Sequence, residues 1–220
     1  MTYRVQLLNG LFRPYNNRYR LKKAEEITNF GLKVLSLYIL SLLVYTISGS
    51  FGIGLESVSR DLSEMDAGSF EMSKAFAVLG RFSAGIVFAS IFIFLSSLFF
   101  WIFTDIEYMK IATVQLIVFC LSLLEKAVSI PLFVLMDINQ DSNPLSLGVI
   151  GQYVTGNEYL IHFLGEITLF QIVIIALQTY YLSYLTEGNK RLAIFGIGMF
   201  YLIVWLLSAL LAYIKVDVFI

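Results

Sequence analysis

The chain has one cysteine, one histidine and three prolines in 220 residues, and only 14% of it is charged. Cys120 alone permits no internal disulfide, and one Cys with one His cannot supply the usual soft ligands of a zinc site, so no metal is expected. Soluble chains carry roughly 25% charged residues, and the shortfall here excludes an ordinary soluble globule. P-loops, dinucleotide fingerprints and nucleophile elbows are missing as well. The Gly-Ile-Gly triplets at 52–54 and 196–198 lie in apolar runs, where no phosphate would be cradled. These absences point to a non-enzymatic protein with no cofactor.

What is present is apolar. Hydrophobic residues make up 58% of the chain, with 19 Phe and 13 Tyr, and the mean hydropathy is +0.80. A 24.9 kDa globule has too little interior to hide that much apolar surface, so the solvent is lipid. A helix needs about 20 apolar residues to cross a hydrocarbon core. Runs of that length cover 34–55, 82–104, 192–214 and 160–186, the last uncharged from 167 onward. A further run, 111–136, is interrupted only by Glu125 and Lys126. The expected fold is all-α: a polytopic five-helix transmembrane bundle over 34–214, preceded by a basic amphipathic segment, 1–33, and followed by a short tail, 215–220. Continuous runs this long do not fit the period-2 strands of a β-barrel.

Basic residues orient such a bundle, because Lys and Arg are retained on the cytoplasmic side. Arg4, Arg13, Arg18, Arg20, Lys22, Lys23 and Lys33 precede the first run, and Lys110, Lys190 and Arg191 fall in the even-numbered turns. They outnumber Arg60, Lys74, Arg81 and Lys215 on the other side, which places the N-terminus in the cytoplasm and the C-terminus outside. The outer loops are acidic, with Glu56, Asp61, Glu64, Asp66 and Glu71 in one and Asp137, Asp141 and Glu158 in the other. No cleavable signal peptide is evident, and the first run is expected to act as an anchor in a bacterial plasma membrane.

Segment 1–33 interleaves apolar residues with bases and is broken at Pro14, which predicts two short interfacial helices. Arg13, Arg18, Arg20, Lys22 and Lys23 then serve either as an anchor on anionic lipid or as a docking arm for a partner. No base-reading motif accompanies them, so nucleic acid is not an expected partner. The stretch 56–74 alternates polar and apolar residues (Val58, Leu62, Met65) at helical spacing and predicts an outer amphipathic helix. Gly188 and Asn189 are expected to close a helix in the left-handed conformation.

A lone charge at a helix centre costs about 2.5–3.5 kcal/mol, so Glu125 and Lys126 should face protein or water. Ser122, Glu125, Lys126 and Ser129 share a helical stripe. Glu158, His162 and Glu166 recur every fourth residue in the next run, at an overlapping depth. An ion pair between Lys126 and Glu166 is expected, serving either to fix two helices or to line a proton, ion or solute path. Ser48/Gly52, Ser50/Gly54 and Ser208/Ala212 show the small-xxx-small spacing of closely packed helices, and Gln171 and Gln178 read as packing residues. Tyr180, Tyr181 and Tyr184, with Trp101 and Phe103, read as an interfacial aromatic belt.

From Pro144 onward the order of features carries a resemblance: Pro144-Leu-Ser-Leu-Gly148, a polar gap, Leu160, then Phe163-Leu-Gly-Glu-Ile-Thr-Leu-Phe170, a long helix, the turn into Lys190-Arg-Leu-Ala193, and a last span. Over about residues 30–214 this layout resembles the bacterial branch of the YIP (Ypt-interacting protein) family. That resemblance implies five membrane helices, a cytoplasmic N-terminus and, as in bacterial members, association with an ABC-type efflux system. Two functions follow as expectations. One is a membrane scaffold or accessory subunit whose partners are the bilayer and other membrane proteins such as ABC transporter subunits, with oligomers open. The other is a small ion- or proton-coupled carrier or channel using Glu125, Lys126 and Glu166.

Overall fold

The computed structural model describes residues 1–53, 67–138 and 142–214; within 67–78 it describes the side chains of Met72 and Phe76 alone. Gly54, most of the acidic outer loop, Asp141 and the tail 215–220 therefore lie outside the described residues, as does the expected amphipathic helix up to residue 66. The described residues are helical and connected by turns, apart from a two-stranded parallel ribbon at the N-terminus: β1 (Thr2–Arg4) pairs with β2 (Glu26–Thr28), Tyr3 opposite Ile27. Between these strands run α1 (Leu7–Phe12) and α2 (Pro14–Lys22). Pro14 is the first residue of α2, where its missing N–H costs nothing, so the two short helices expected from the sequence are present.

Among the described residues four helices are long and apolar enough to cross a membrane. The first is α3 (Phe30–Ser50), which follows Asn29 in the left-handed conformation and stops before Gly52 at φ +73°. The second is a single rod in three parts: α4 (Ala67–Ser90), a π-helical turn at Ile91–Leu95 and α5 (Ser96–Phe103). A π turn leaves carbonyls without ordinary i−4 partners. Here the Ser96 and Ser97 hydroxyls donate to the carbonyls of Phe92 and Ile93. The third is α6 (Tyr108–Met136), with Pro131 inside it. Every residue from Ile111 to Phe119 is buried, which makes α6 the axis of the bundle.

The run expected to be continuous over 160–186 is broken. After a short helix α7 (Gly148–Val154) come α8 (Glu158–Gly165) and α9 (Leu169–Leu185), parted at Glu166–Thr168. At 17 residues α9 is shorter than the other spans. The last long helix is α10 (Lys190–Ile214).

Lipid gives helices no hydrophobic reason to associate, so close backbone approach and hydrogen bonds hold such bundles together. The α3–α4 contact is of this kind. The Ser41 hydroxyl donates to the Gly85 carbonyl at 2.9 Å, and a Cβ at Gly85 would stand 3.3 Å from the Ser41 oxygen. Of the expected small-xxx-small pairs on α3, Gly54 lies outside the described residues, and Gly52 lies beyond the helix end with open space where a Cβ would stand. Ser50 is exposed and donates to its own helix at Ile47, and Gly49 meets Arg81.

The N-terminal segment is not a free arm. Tyr3, Val5 and Leu21 are buried in the same core as Leu116, Ile117 and Tyr181. A Cβ at Gly10 would sit 2.6 Å from Ile117, so α1 rests directly on α6.

Candidate functional site

The break between α8 and α9 is built from backbone pairing that no sequence period announces. Ser146 and Thr168 form an antiparallel bridge, with Leu147 N donating to Ile167 O and Leu169 N to Leu145 O, each at 3.0 Å. The chain before α7 thereby replaces the helical partners lost at the break. Two glycines allow α7 to lie against α8: a Cβ at Gly148 would be 2.9 Å from the Gly165 Cα, and one at Gly151 the same distance from Leu164. Thr168 then caps α9, its hydroxyl oxygen accepting from Gln171 N at 3.0 Å. Thr168-x-x-Gln171 is a capping-box pattern and is the local signal that marks this helix start.

The proton of the Thr168 hydroxyl goes to Glu125, whose carboxylate accepts it across the α6–α9 contact. Glu125 is 7% exposed, and Ser129 Oγ donates to its backbone carbonyl at 2.9 Å. Around this junction lies a cavity of about 380 Å³. It gathers every member of the predicted polar cluster: Ser122, Glu125, Lys126 and Ser129 from α6, His162 from α8, and Glu166 from the break. Arg81, Gln115, Thr168 and Gln171 also line it and were not singled out as site residues by sequence. Gln115 is 1% exposed, and among the described residues its Nε2 has no acceptor and the Gln171 Oε1 no donor. Aromatic rings from α4, the π turn and α10 close the remaining wall.

Lys126 and Glu166 do not make the expected ion pair. Ion pairs within 4.0 Å are seen among the described residues at Met1–Glu25, Lys22–Glu187 and Lys110–Glu107, in the cap or at the helix ends. Ser122, Glu125 and Ser129 are buried whereas Lys126, one position round the helix from Glu125, is exposed at the cavity margin. Without closing to an ion pair, the Lys126 charge still acts on both Glu125 and Glu166. Glu158, at the start of α8, is exposed and does not line the cavity.

At the other end of the bundle the basic segment divides into two groups. Arg18 stacks its guanidinium over Tyr180 and Tyr184, at 4.0 and 4.3 Å from the ring centroids, and Lys22 Nζ donates to the Tyr184 carbonyl at 3.2 Å. These two hold the cap in place. Arg13, Arg20 and Lys23 are exposed. Tyr181 is fully buried and belongs to no interfacial belt; its hydroxyl donates to Gly10 O at 2.8 Å and accepts from Asn17 Nδ2 at 3.1 Å. Asn17 accepts in turn from the Tyr3 hydroxyl at 2.7 Å, and burial pushes the Tyr3 phenol above its usual value, keeping it a donor.

The turn at 187–191 also closes differently from expectation, since neither Gly188 nor Asn189 is left-handed. The Asp105 carboxylate does the work of a cap, accepting from the Thr186 hydroxyl and from the amides of Glu187 and Gly188 at 2.9 and 3.0 Å. Comparison with protein-family models, with curated proteins and with solved structures finds no match to this chain.

Proposed function

We propose that the protein is a non-enzymatic, multi-pass membrane protein that binds a small solute inside its helix bundle, in the manner of a carrier. The cavity at the helix break carries this reading. Intramembrane ionisable groups are expensive, and they mark substrate or ion pathways when they face a shared cavity. Broken helices at membrane depth are tolerated where they line such a space. Glu125, Lys126, His162 and Glu166 would contact the solute, and the aromatic wall would hold its apolar part. The bundle would sit in a bacterial plasma membrane with the N-terminal cap in the cytoplasm, as the distribution of bases favours.

Cysteine accessibility tests this. Ser122→Cys and Ser129→Cys, each in a Cys120→Ala background, are expected to react with a small hydrophilic methanethiosulfonate added to intact cells, at a rate well above that of a lipid-facing control at Leu124. Inert thiols at both positions would mean that the stripe is dry packing and would overturn the proposal.

A second reading is kept because the exposed Arg13, Arg20 and Lys23 cluster on one cap and because the chain resembles the bacterial YIP family. In it, the protein is an accessory scaffold for an ABC-type exporter, docked through the cap. Stoichiometric recovery of transporter subunits in mild detergent, lost when those three bases become Ser, would favour it.

A further inference from the structure

Two kinds of group line the cavity. Glu125 and Glu166 bring carboxyl groups, and Phe88, Phe92, Phe200, Tyr201 and Trp205 bring aromatic rings. These rings pack as continuous sets, with centroids 5.8 Å apart for Phe88–Phe92, 5.4 Å for Phe200–Tyr201 and 6.1 Å for Tyr201–Trp205. Gln115 also lines this space. Its buried Nε2 has no acceptor among the described residues, and a donor this deep is costly to leave unmade, so whatever fills the space should supply one. Gln115 and Glu125 are ten positions apart on α6, which puts about 15 Å between them along the helix axis.

The sign of charge follows from which groups are held inward. Arg81 spends its guanidinium on the Ile53 carbonyl, at 2.6 Å, and Lys126, exposed at the margin, sets one positive charge against two carboxyl groups. Glu125 is buried at the cavity wall, where its carboxylate accepts from the Thr168 hydroxyl, and Glu166, half-buried, lines the same cavity. An anion would meet two carboxylates there. A cation would meet two carboxylates and the negative faces of aromatic rings.

Building on the solute-binding reading above, we infer that the cavity takes an elongated amphipathic ammonium ion. Its charged head lies at Glu125 and Glu166, its apolar body runs among the rings, and a hydrogen-bond acceptor reaches Gln115. A free alkyl or aryl amine and the ethanolamine headgroup of a lipid share this chemistry.

The test uses the full-length Cys120→Ala/Ser122→Cys protein in neutral maltoside micelles and follows the rate at which hydroxyethyl methanethiosulfonate modifies Cys at position 122. Saturating 6-phenylhexylammonium should slow modification about tenfold or more, and 6-phenylhexanoate less than about twofold, the contrast expected of a charge-selective site. Glu125→Gln, which keeps an acceptor for Thr168, should raise the half-protecting concentration of the ammonium about tenfold. Gln115→Leu should weaken protection by a longer analogue bearing a terminal ether but not by the plain phenyl compound, so one variant still decides if the other fails to fold. Adding phosphatidylethanolamine, but not phosphatidylglycerol, to the micelles should slow modification by itself if the source is a lipid headgroup; no slowing by either assigns the site to a free amine. A thiol that reacts freely with no protection by the ammonium, or with equal protection by the carboxylate, overturns this ligand class and leaves the solute-binding reading intact. A thiol that never reacts overturns both.

Discussion

Asp105 joins two turns that are distant in sequence. Its carboxylate receives the Thr186 hydroxyl and the next two amides, so the link between α5 and α6 is fastened to the link between α9 and α10. The Thr186 hydrogen bond above all, helped by the amides, holds the Asp105 carboxyl below its usual value even though burial opposes this. A carboxylate depressed in the folded state stabilises the fold above its unfolded pKa of about 3.9, and that contribution is lost as pH falls through the lower folded value. Asp105→Ala should therefore cost about 1–2 kcal/mol at pH 7, the low part of the range for charged hydrogen bonds because the group is exposed. Thermal unfolding in detergent checks it: the gap between variant and parent should narrow below pH 4. A gap that is constant from pH 7 to pH 3 would mean the carboxylate charge is not what fastens the turns.

At the scale of elements, the N-terminal cap is held by a buried polar chain running from Tyr3 through Asn17 to Tyr181 and on to Gly10 O. Asn17→Ala removes the centre of this chain and leaves two buried hydroxyls short of a partner, at about 2 kcal/mol. That corresponds to about a 30-fold rise in local opening of the cap. Limited trypsin cleavage at Arg18 and Arg20 should accelerate by that order, while α6 and α10 stay protected. Unchanged cleavage would show that apolar burial of Val5 and Leu21 alone seats the cap.

The long helices were legible because uncharged runs of this length have one stable form in lipid, and the split of the basic segment was legible from Pro14. The docking of the cap was not, since Asn17, Tyr181 and Gly10 are ordinary residues until they meet. The break at Glu166–Thr168 was hidden by hydropathy that stays high across it, although Thr168 and Gln171 carried the pattern of a helix start. Spacing put Ser122, Glu125, Lys126 and Ser129 on one stripe, and these residues line the cavity. Spacing gives depth and face but no partner, so it could not say that Thr168 reaches Glu125 or that Lys126 and Glu166 stop short of an ion pair.

For the molecule as a whole, the open quantity is the number of crossings, and α8 with α9 decides it. At about 1.5 Å per residue the 17 residues of α9 cover about 26 Å, short of a hydrocarbon core of about 30 Å. Yet α8 and α9 together run antiparallel along the length of α10. Tyr159 of α8 reaches Leu206 O and packs on Tyr213, Phe163 meets Trp205, and in α9 Gln178 accepts from the Tyr201 hydroxyl. Because α10 is long enough to span, a neighbour of equal reach is expected to span with it, in two pieces. The cap end of the bundle holds Asn16 and, through Lys22 and Glu187, the turn at Asn189. Cysteines at Asn16 and at Asn189 in a Cys120→Ala background should thus react with an impermeant reagent only after cells are permeabilised. A cysteine at Ser142 should react from outside intact cells. Labelling of positions 142 and 189 from the same side would mean that α8 and α9 turn back within the membrane, reducing the crossings to four and closing the cavity from the face on which Glu166 now stands.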